Sequence, residues 1–346
     1  LTGVVFLSVI GLLSHFASMV QMGDNGSYMG IASALRHWNF QGLNIKAFWG
    51  LPYVMAVVSL VTRISDRDAL ILVSYCSGIA TIVLAHRLWG GWVAGFFMVL
   101  NFDWMQRLFL CGSEPLFMAL VFGAFLAARK QHWLLSALLA AFSVTVRPLG
   151  IFVLAGIGLT LLWKRDFRNF SLATLTGLVI GGLYAIPMTL YFKTPFANVQ
   201  SYQQMDWQGG HLLSWPFFAI VKSMHGNRPP LTNLLLTWGW IVFVLAGFLV
   251  ILLSRQCRLA WSLRSVELIF ALSYLAFLYT YNSPRWIVGS FPRYSIPVLP
   301  LILWALIDWL PKDRRVLWGL AAVSPVLAAC SAIGIRNVAA MIHRGM

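Results

Sequence analysis

Acidic residues are scarce in this chain of 346 residues: it has ten Asp and Glu against 25 Lys and Arg, and charged residues make up only 10% of the total. Soluble domains place charge at about a quarter of their positions. The shortage therefore excludes a water-exposed surface of ordinary extent. Cysteine is scarce too. Cys76, Cys111, Cys257 and Cys330 are widely spaced with no Cys-x-x-Cys pair, which argues against a disulfide framework or thiolate metal site and leaves small core residues. The chain also lacks a Gly/Ser linker, a low-complexity tract, a clear internal repeat and period-two alternation. These absences argue against tethered domains, a repeat array and a transmembrane barrel.

What is present is apolar: 60% hydrophobic, 14% aromatic, with a mean hydropathy of +0.78. Apolar runs lie near 3–20, 47–62, 68–85, 89–102, 114–128, 133–146, 148–163, 171–192, 233–253, 266–281, 295–309 and 315–334. Most approach the ~20 residues a helix needs to cross a hydrocarbon layer of about 30 Å. The pattern predicts an all-α polytopic integral membrane protein, with about 11–12 apolar helical segments in a single transmembrane domain over 1–346. The first run has no basic leader and no small-residue cleavage site, so it reads as a retained span rather than a cleaved signal.

The net charge of +15 does not predict a nucleic-acid partner, because the basic residues are spread through short loops rather than over one soluble face. Arg129 and Lys130, then Lys164, Arg165 and Arg168, then Arg255, Arg258 and Arg264, then Lys312, Arg314 and Arg315 fall in alternate loops. The positive-inside rule places those loops in the cytoplasm. The Arg147-Pro148 turn and the stretches 193–232 and 282–294 then face outward.

Two long breaks interrupt the apolar runs, at 21–46 and 193–232. In the first, Asp24 lies beside hydrocarbon, where an ionisable group is costly unless solvated, paired or used. Asp24 or Asn25 can cap a short helix whose face Tyr28, Ile31, Ala32 and Leu35 would lie along the membrane surface. A helix cap alone would also account for Asp24.

Further along come Gly50-Leu51-Pro52-Tyr53, Ser113-Glu114-Pro115-Leu116-Phe117, Thr145-Val146-Arg147-Pro148-Leu149-Gly150 and Phe291-Pro292-Arg293-Tyr294-Ser295. With the early Asp24-x-x-x-Tyr28, this ordered set resembles the polytopic GT-C glycosyltransferases. The likeness is strongest to bacterial relatives of the GPI mannosyltransferases, the protein mannosyltransferases and the lipid A aminoarabinose transferases. It covers most of the first 160 residues and a patch near 291–304. The resemblance implies a GT-C fold and transfer of a sugar from a polyprenyl-phosphate donor to a hydroxyl of a lipid, glycan or protein, on the extracytoplasmic face. It also implies a bacterial inner membrane, with the endoplasmic reticulum as the alternative. An O-antigen ligase or polymerase, or a transporter of lipid-linked sugars, is the rival reading.

Under this reading Asp24 is the general base, removing the acceptor's proton so that displacement inverts the anomeric carbon. Tyr28, Glu114 and Asp103 are candidates for acceptor binding or a second acid. Arg293 is the first candidate for the donor phosphate, with Arg285, Arg147 and Tyr294 behind it, since guanidinium stays charged near lipid and offers two parallel donors. Interfacial snorkelling is the plainer role for each arginine. Arg147 can instead pair with Glu114, and Asp103 with Arg107 four residues on. A divalent cation, Mg or Mn, is a possible cofactor; His211 and His225 with Asp206 are a poor set for one. The long outer loop, with Tyr202, Trp207 and Trp215, has faces suited to sugar rings, although a solvated connector would look the same. Three apolar runs separate Asp24 from Glu114, so the two share a side only if one of them, 47–62 or 89–102, fails to cross.

Overall fold

The structure is a computed structural model, and it describes residues 23–40, 43, 46–100, 102–109, 111–226, 231–284, 287–319, 321 and 322. Its described residues are overwhelmingly helical, with β pairing among them limited to an isolated bridge between Leu213 and Tyr281. The all-α, polytopic expectation is borne out. The first apolar run and most of the last lie outside the described residues.

Helix α1 (Gly23–His37) starts with Asp24 in its first turn and ends with Arg36 and His37, each charge on the side that the helix dipole favours. Its predicted apolar face is real: Tyr28, Ile31 and Ala32 are buried. Helix α2 (Gly50–Thr62) follows, then α3 (Asp66–Trp89), whose first turn is capped by Ser65 accepting from the Asp68 N–H at 3.2 Å. Short helices α4 (Gly91–Leu100) and α5 (Phe102–Phe109) lead to α6 (Glu114–Arg129) and α7 (Trp133–Val146). A 3-10 turn at Pro148–Gly150 opens α8 (Ile151–Trp163), and α9 (Phe167–Phe192) returns. The remainder is α10 (Ala197–Met205), α11 (Phe218–Gly226), α12 (Leu231–Leu253), α13 (Arg255–Leu259), α14 (Trp261–Thr280), α15 (Ile287–Ser295) and α16 (Leu299–Ala305).

Three of these, α3, α9 and α14, are long and apolar enough to cross a membrane on their own, and several shorter apolar helices accompany them. On α9 the outward side chains are Leu172, Leu175, Leu178, Val179, Leu183 and Ile186, all exposed. A contiguous leucine-rich face of that size calls for lipid rather than water. Since lipid is as apolar as leucine, cohesion between helices rests on close packing and hydrogen bonds. Ser136 Oγ donates to the Ala124 carbonyl at 2.9 Å, joining α7 to α6, and Thr160 Oγ1 donates to Ser265 Oγ at 3.0 Å, joining α8 to α14. At Gly156 a Cβ would sit 2.8 Å from the Val266 carbonyl oxygen, so α8 and α14 cross at a distance only glycine allows. Phe97, Phe122, Phe125 and Phe270 fill the interior with edge-on and stacked contacts.

The side-chain contacts settle which run fails to cross. Trp89, at the end of α3, meets Glu267, Arg129 and Arg264, the charges of one end of the bundle. Asp66, at the other end of α3, lies about 36 Å away along a helix of 24 residues. It accepts from Ser59 of α2 at 3.0 Å and pairs with Arg36 of α1 at 2.6 Å. The opposite end of α2 is held by Gly50, where a Cβ would lie 2.5 Å from Thr145 Oγ1, two residues before Arg147. Both ends of α2 therefore stay away from the Glu267 end. The run 47–62 does not cross, α3 does, and α4 with α5 leads back. The 193–232 stretch is also more ordered than a connector, since it contains α10 and α11.

Candidate functional site

Glu114 opens α6 immediately before Pro115, where a missing N–H costs nothing and an acid favours the helix dipole. Its side chain is 3% exposed. Arg147 Nη1 lies 2.5 Å from its Oε1, and Arg293 Nε contacts the same oxygen. The other oxygen, Oε2, is buried with no hydrogen-bond partner, as is Nε of neighbouring Arg107. Pro115 accepts from Thr81 at 3.3 Å, which ties the start of α6 to α3.

Local sequence aims each arginine. Arg147 precedes proline and is held extended, at φ −147° and ψ 132°, which ends α7 and turns its side chain inward. It also donates to Ser113 Oγ at 3.5 Å. Arg293 rides on α15, whose backbone is fastened by Tyr274 donating to the Tyr294 carbonyl at 2.7 Å. Burial works to lower the Arg293 pKa, but the adjacent Glu114 carboxylate outweighs it and raises the value. Three guanidinium groups, of Arg107, Arg147 and Arg293, thus gather around two carboxylates, Glu114 and Asp103. The balance is positive, and an anion is what it lacks.

The first loop reaches the same place. Tyr28 shares a hydrogen bond with Ser113, and its phenol is pushed up by burial, then by the charges of Asp24 and Glu114. Asp24 is one helical turn away on α1 and is exposed. The long outer loop is pinned over this region: Lys46 pairs with Asp206 at 2.7 Å and lies 5.2 Å over the Tyr202 ring, while Asn198 donates to the Ala47 carbonyl at 2.9 Å. Tyr202 lies within the electrostatic reach of Tyr28, Arg147 and Tyr294.

The structure therefore gathers Tyr28, Glu114, Asp103, Arg147, Arg293 and Tyr294, with Asp24 at the rim. Arg285 lies outside the described residues. The Asp103–Arg107 pair expected as a local one is absorbed into the Glu114 cluster. Lys46 was passed over in the sequence because a lone lysine in a loop carries no pattern. Among the described residues no group of three or more His, Cys, Asp and Glu side chains gathers that could hold a metal. A shallow recess beside Glu267 belongs to the opposite end of the molecule and not to this cluster.

No protein-family model matches the chain, and no curated protein matches it by sequence. Among solved structures, the fold is similar to the crystal structure of ArnT from Cupriavidus metallidurans bound to undecaprenyl phosphate, with a TM-score of 0.55 and 16% identity. The apo form of that protein gives 0.53 and 18%. Each match covers 94% of this chain and 63% of the ArnT chain, so the similarity spans less than two thirds of that protein. The likeness is one of fold, shared with ArnT along nearly the whole of this chain.

Proposed function

We propose that the chain is a membrane glycosyltransferase that moves one sugar from a polyprenyl-phosphate donor to a hydroxyl acceptor. The observation that carries this reading is the positive balance around Glu114: three half-buried guanidinium groups, from α5, the α7–α8 turn and α15, against two carboxylates, Glu114 and Asp103. That charge suits a phosphate, and it lies in a fold similar to that of a protein crystallised with undecaprenyl phosphate.

The donor phosphate sits against Arg293 and Arg147, whose remaining N–H groups are free to donate while each keeps one contact to Glu114. As the bond from the anomeric carbon to the phosphate oxygen breaks, its electron pair leaves with the polyprenyl phosphate. The arginines stabilise that charge where it develops. The acceptor oxygen bonds to the opposite face of the same carbon, its proton passes to Asp24, and the configuration inverts. Glu114 keeps the arginines in place and prevents a bare cationic cluster from closing on itself or trapping product. Tyr28 links the base to this centre, and the loop held by Lys46–Asp206 covers it. The basic loops at the Glu267 end support an outward-facing site by the positive-inside rule, in a bacterial inner membrane.

The test is transfer from a panel of radiolabelled polyprenyl-phosphate sugars to lipid, glycan and peptide acceptors by the purified chain in detergent, for wild type and Asp24→Asn. Transfer lost in a variant that still binds donor supports the reading and identifies sugar and acceptor. Transfer that survives removes Asp24 from the mechanism, and no transfer with any pair leaves the ligase and transporter readings ahead.

A further inference from the structure

At the end of the bundle away from the proposed catalytic centre, a shallow recess opens between the ends of α6 and α8 and the starts of α7 and α14. Its charged lining is Arg129, Lys164 and Arg264 against Glu267, three cations to one anion. Glu267 has nothing left to offer them. Its Oε1 accepts from Arg129 Nε, and its Oε2 accepts from Trp89 Nε1 at 3.1 Å and Arg129 Nη2 at 2.8 Å. The cations keep donors in reserve. Arg129 uses its Nε and one hydrogen of each terminal nitrogen, leaving a second on each. Arg264 stacks 4.3 Å over Trp304 and makes only 3.4 Å contacts to the Leu88 carbonyl and Glu267. Lys164 lies 5.3 Å over the Trp133 ring with its ammonium exposed.

The lining also carries the polar Gln131, Ser262 and Ser265, and its apolar rim is exposed. Leu263 lines the recess and is 79% exposed, and Trp163, 77% exposed, lies beside Lys164 in the chain. A site with surplus cationic donors inside and a greasy rim suits an amphiphile's anionic end. Basic pockets between membrane helices hold lipid headgroups in this way.

We infer that this recess binds an anionic phosphate group, that of a lipid headgroup or of a free phosphate ester, independently of the catalytic reading. Bound there, the phosphate takes the spare N–H groups of Arg129 and Arg264 and the ammonium of Lys164. It thereby braces three loops that otherwise hold like charges together.

The experiment uses the full chain in detergent, with phosphatidylglycerol, phosphatidylcholine and glycerol 3-phosphate as probes, read by native mass spectrometry and thermal unfolding. The expected result is retention of phosphatidylglycerol and a raised Tm, with phosphatidylcholine giving neither. Lys164→Gln should weaken phosphatidylglycerol binding roughly fivefold, while Lys312→Gln, at an exposed lysine outside the recess, should not. Competition by glycerol 3-phosphate would show that the phosphate alone suffices; phosphatidylglycerol that resists it would assign the lipid. Either upholds the site. Equal retention of the two lipids, or equal weakening in the two lysine variants, overturns it.

Discussion

Two buried carboxylates, Glu114 and Glu267, are each gripped by arginines at opposite ends of one helical bundle, and they differ in a single respect. Glu267 has both oxygens occupied, by the Arg129 fork, Trp89 and Arg264. Glu114 spends one oxygen on two arginines and leaves the other buried and unbonded, beside an Arg107 Nε in the same condition. A closed network holds helices together. An open one, costly to keep buried, implies that something else completes it. Burial and charge alone would have ranked the two sites equal, and counting unbonded carboxylate oxygens separates them.

The comparison breaks first on activity. Asp24→Asn should cut sugar transfer by roughly 10²–10⁴-fold, the usual scale of a general base, in a steady-state assay with the donor that wild type accepts. Asp24 is exposed at the start of α1, so the variant's Tm should match wild type. A parallel fall in Tm would make Asp24 a helix cap only.

Glu267→Gln should be the most damaging change to stability. It strands Arg129 and Arg264 without their counter-charge, a class of loss worth about 3–5 kcal/mol. The readout is a lower Tm and a smaller monodisperse fraction on size exclusion in detergent. A variant as stable as wild type would make the closed network dispensable and remove the contrast. Glu114→Gln should cost less, roughly 1–3 kcal/mol, because the network it disturbs is already incomplete. It should also gain more Tm from added polyprenyl phosphate than wild type does, since the anion then supplies the missing charge. Equal ligand-induced shifts in the two proteins would argue that the phosphate binds away from Glu114.

Much of this was legible in the chain, for reasons that differ by residue. The buried face of α1 follows from helical spacing of Tyr28, Ile31 and Ala32, and Glu114 before Pro115 marks a helix start by local chemistry. Crossing parity was not legible. The runs 47–62 and 89–102 are both short and apolar, and hydropathy cannot see that Gly50 packs on Thr145 or that Ser59 bonds Asp66. Arg107, four residues from Asp103, reads as half of a local pair. Only the fold brings it within the field of Arg293 and Glu114. The helices of the long outer loop escaped because Ala197–Met205 is polar on most sides and carries no apolar period.

The smallest expected effect concerns the strap over the open site. Lys46 and Asp206 pair at 2.7 Å with the lysine side chain 30% exposed and the aspartate 5%. Half-solvated pairs of this kind contribute about 1 kcal/mol or less, so Lys46→Met should lower Tm only slightly. The methionine still covers the Tyr202 ring while removing the charge. If the strap orders the loop over bound donor, KM should rise a few-fold with kcat nearly unchanged, because the lost interaction serves ground state and transition state alike. A fall in kcat at constant KM would instead bring Lys46 into the reacting centre, as a fourth cation beside Arg107, Arg147 and Arg293, and would widen the gap between the open end of the molecule and the closed one.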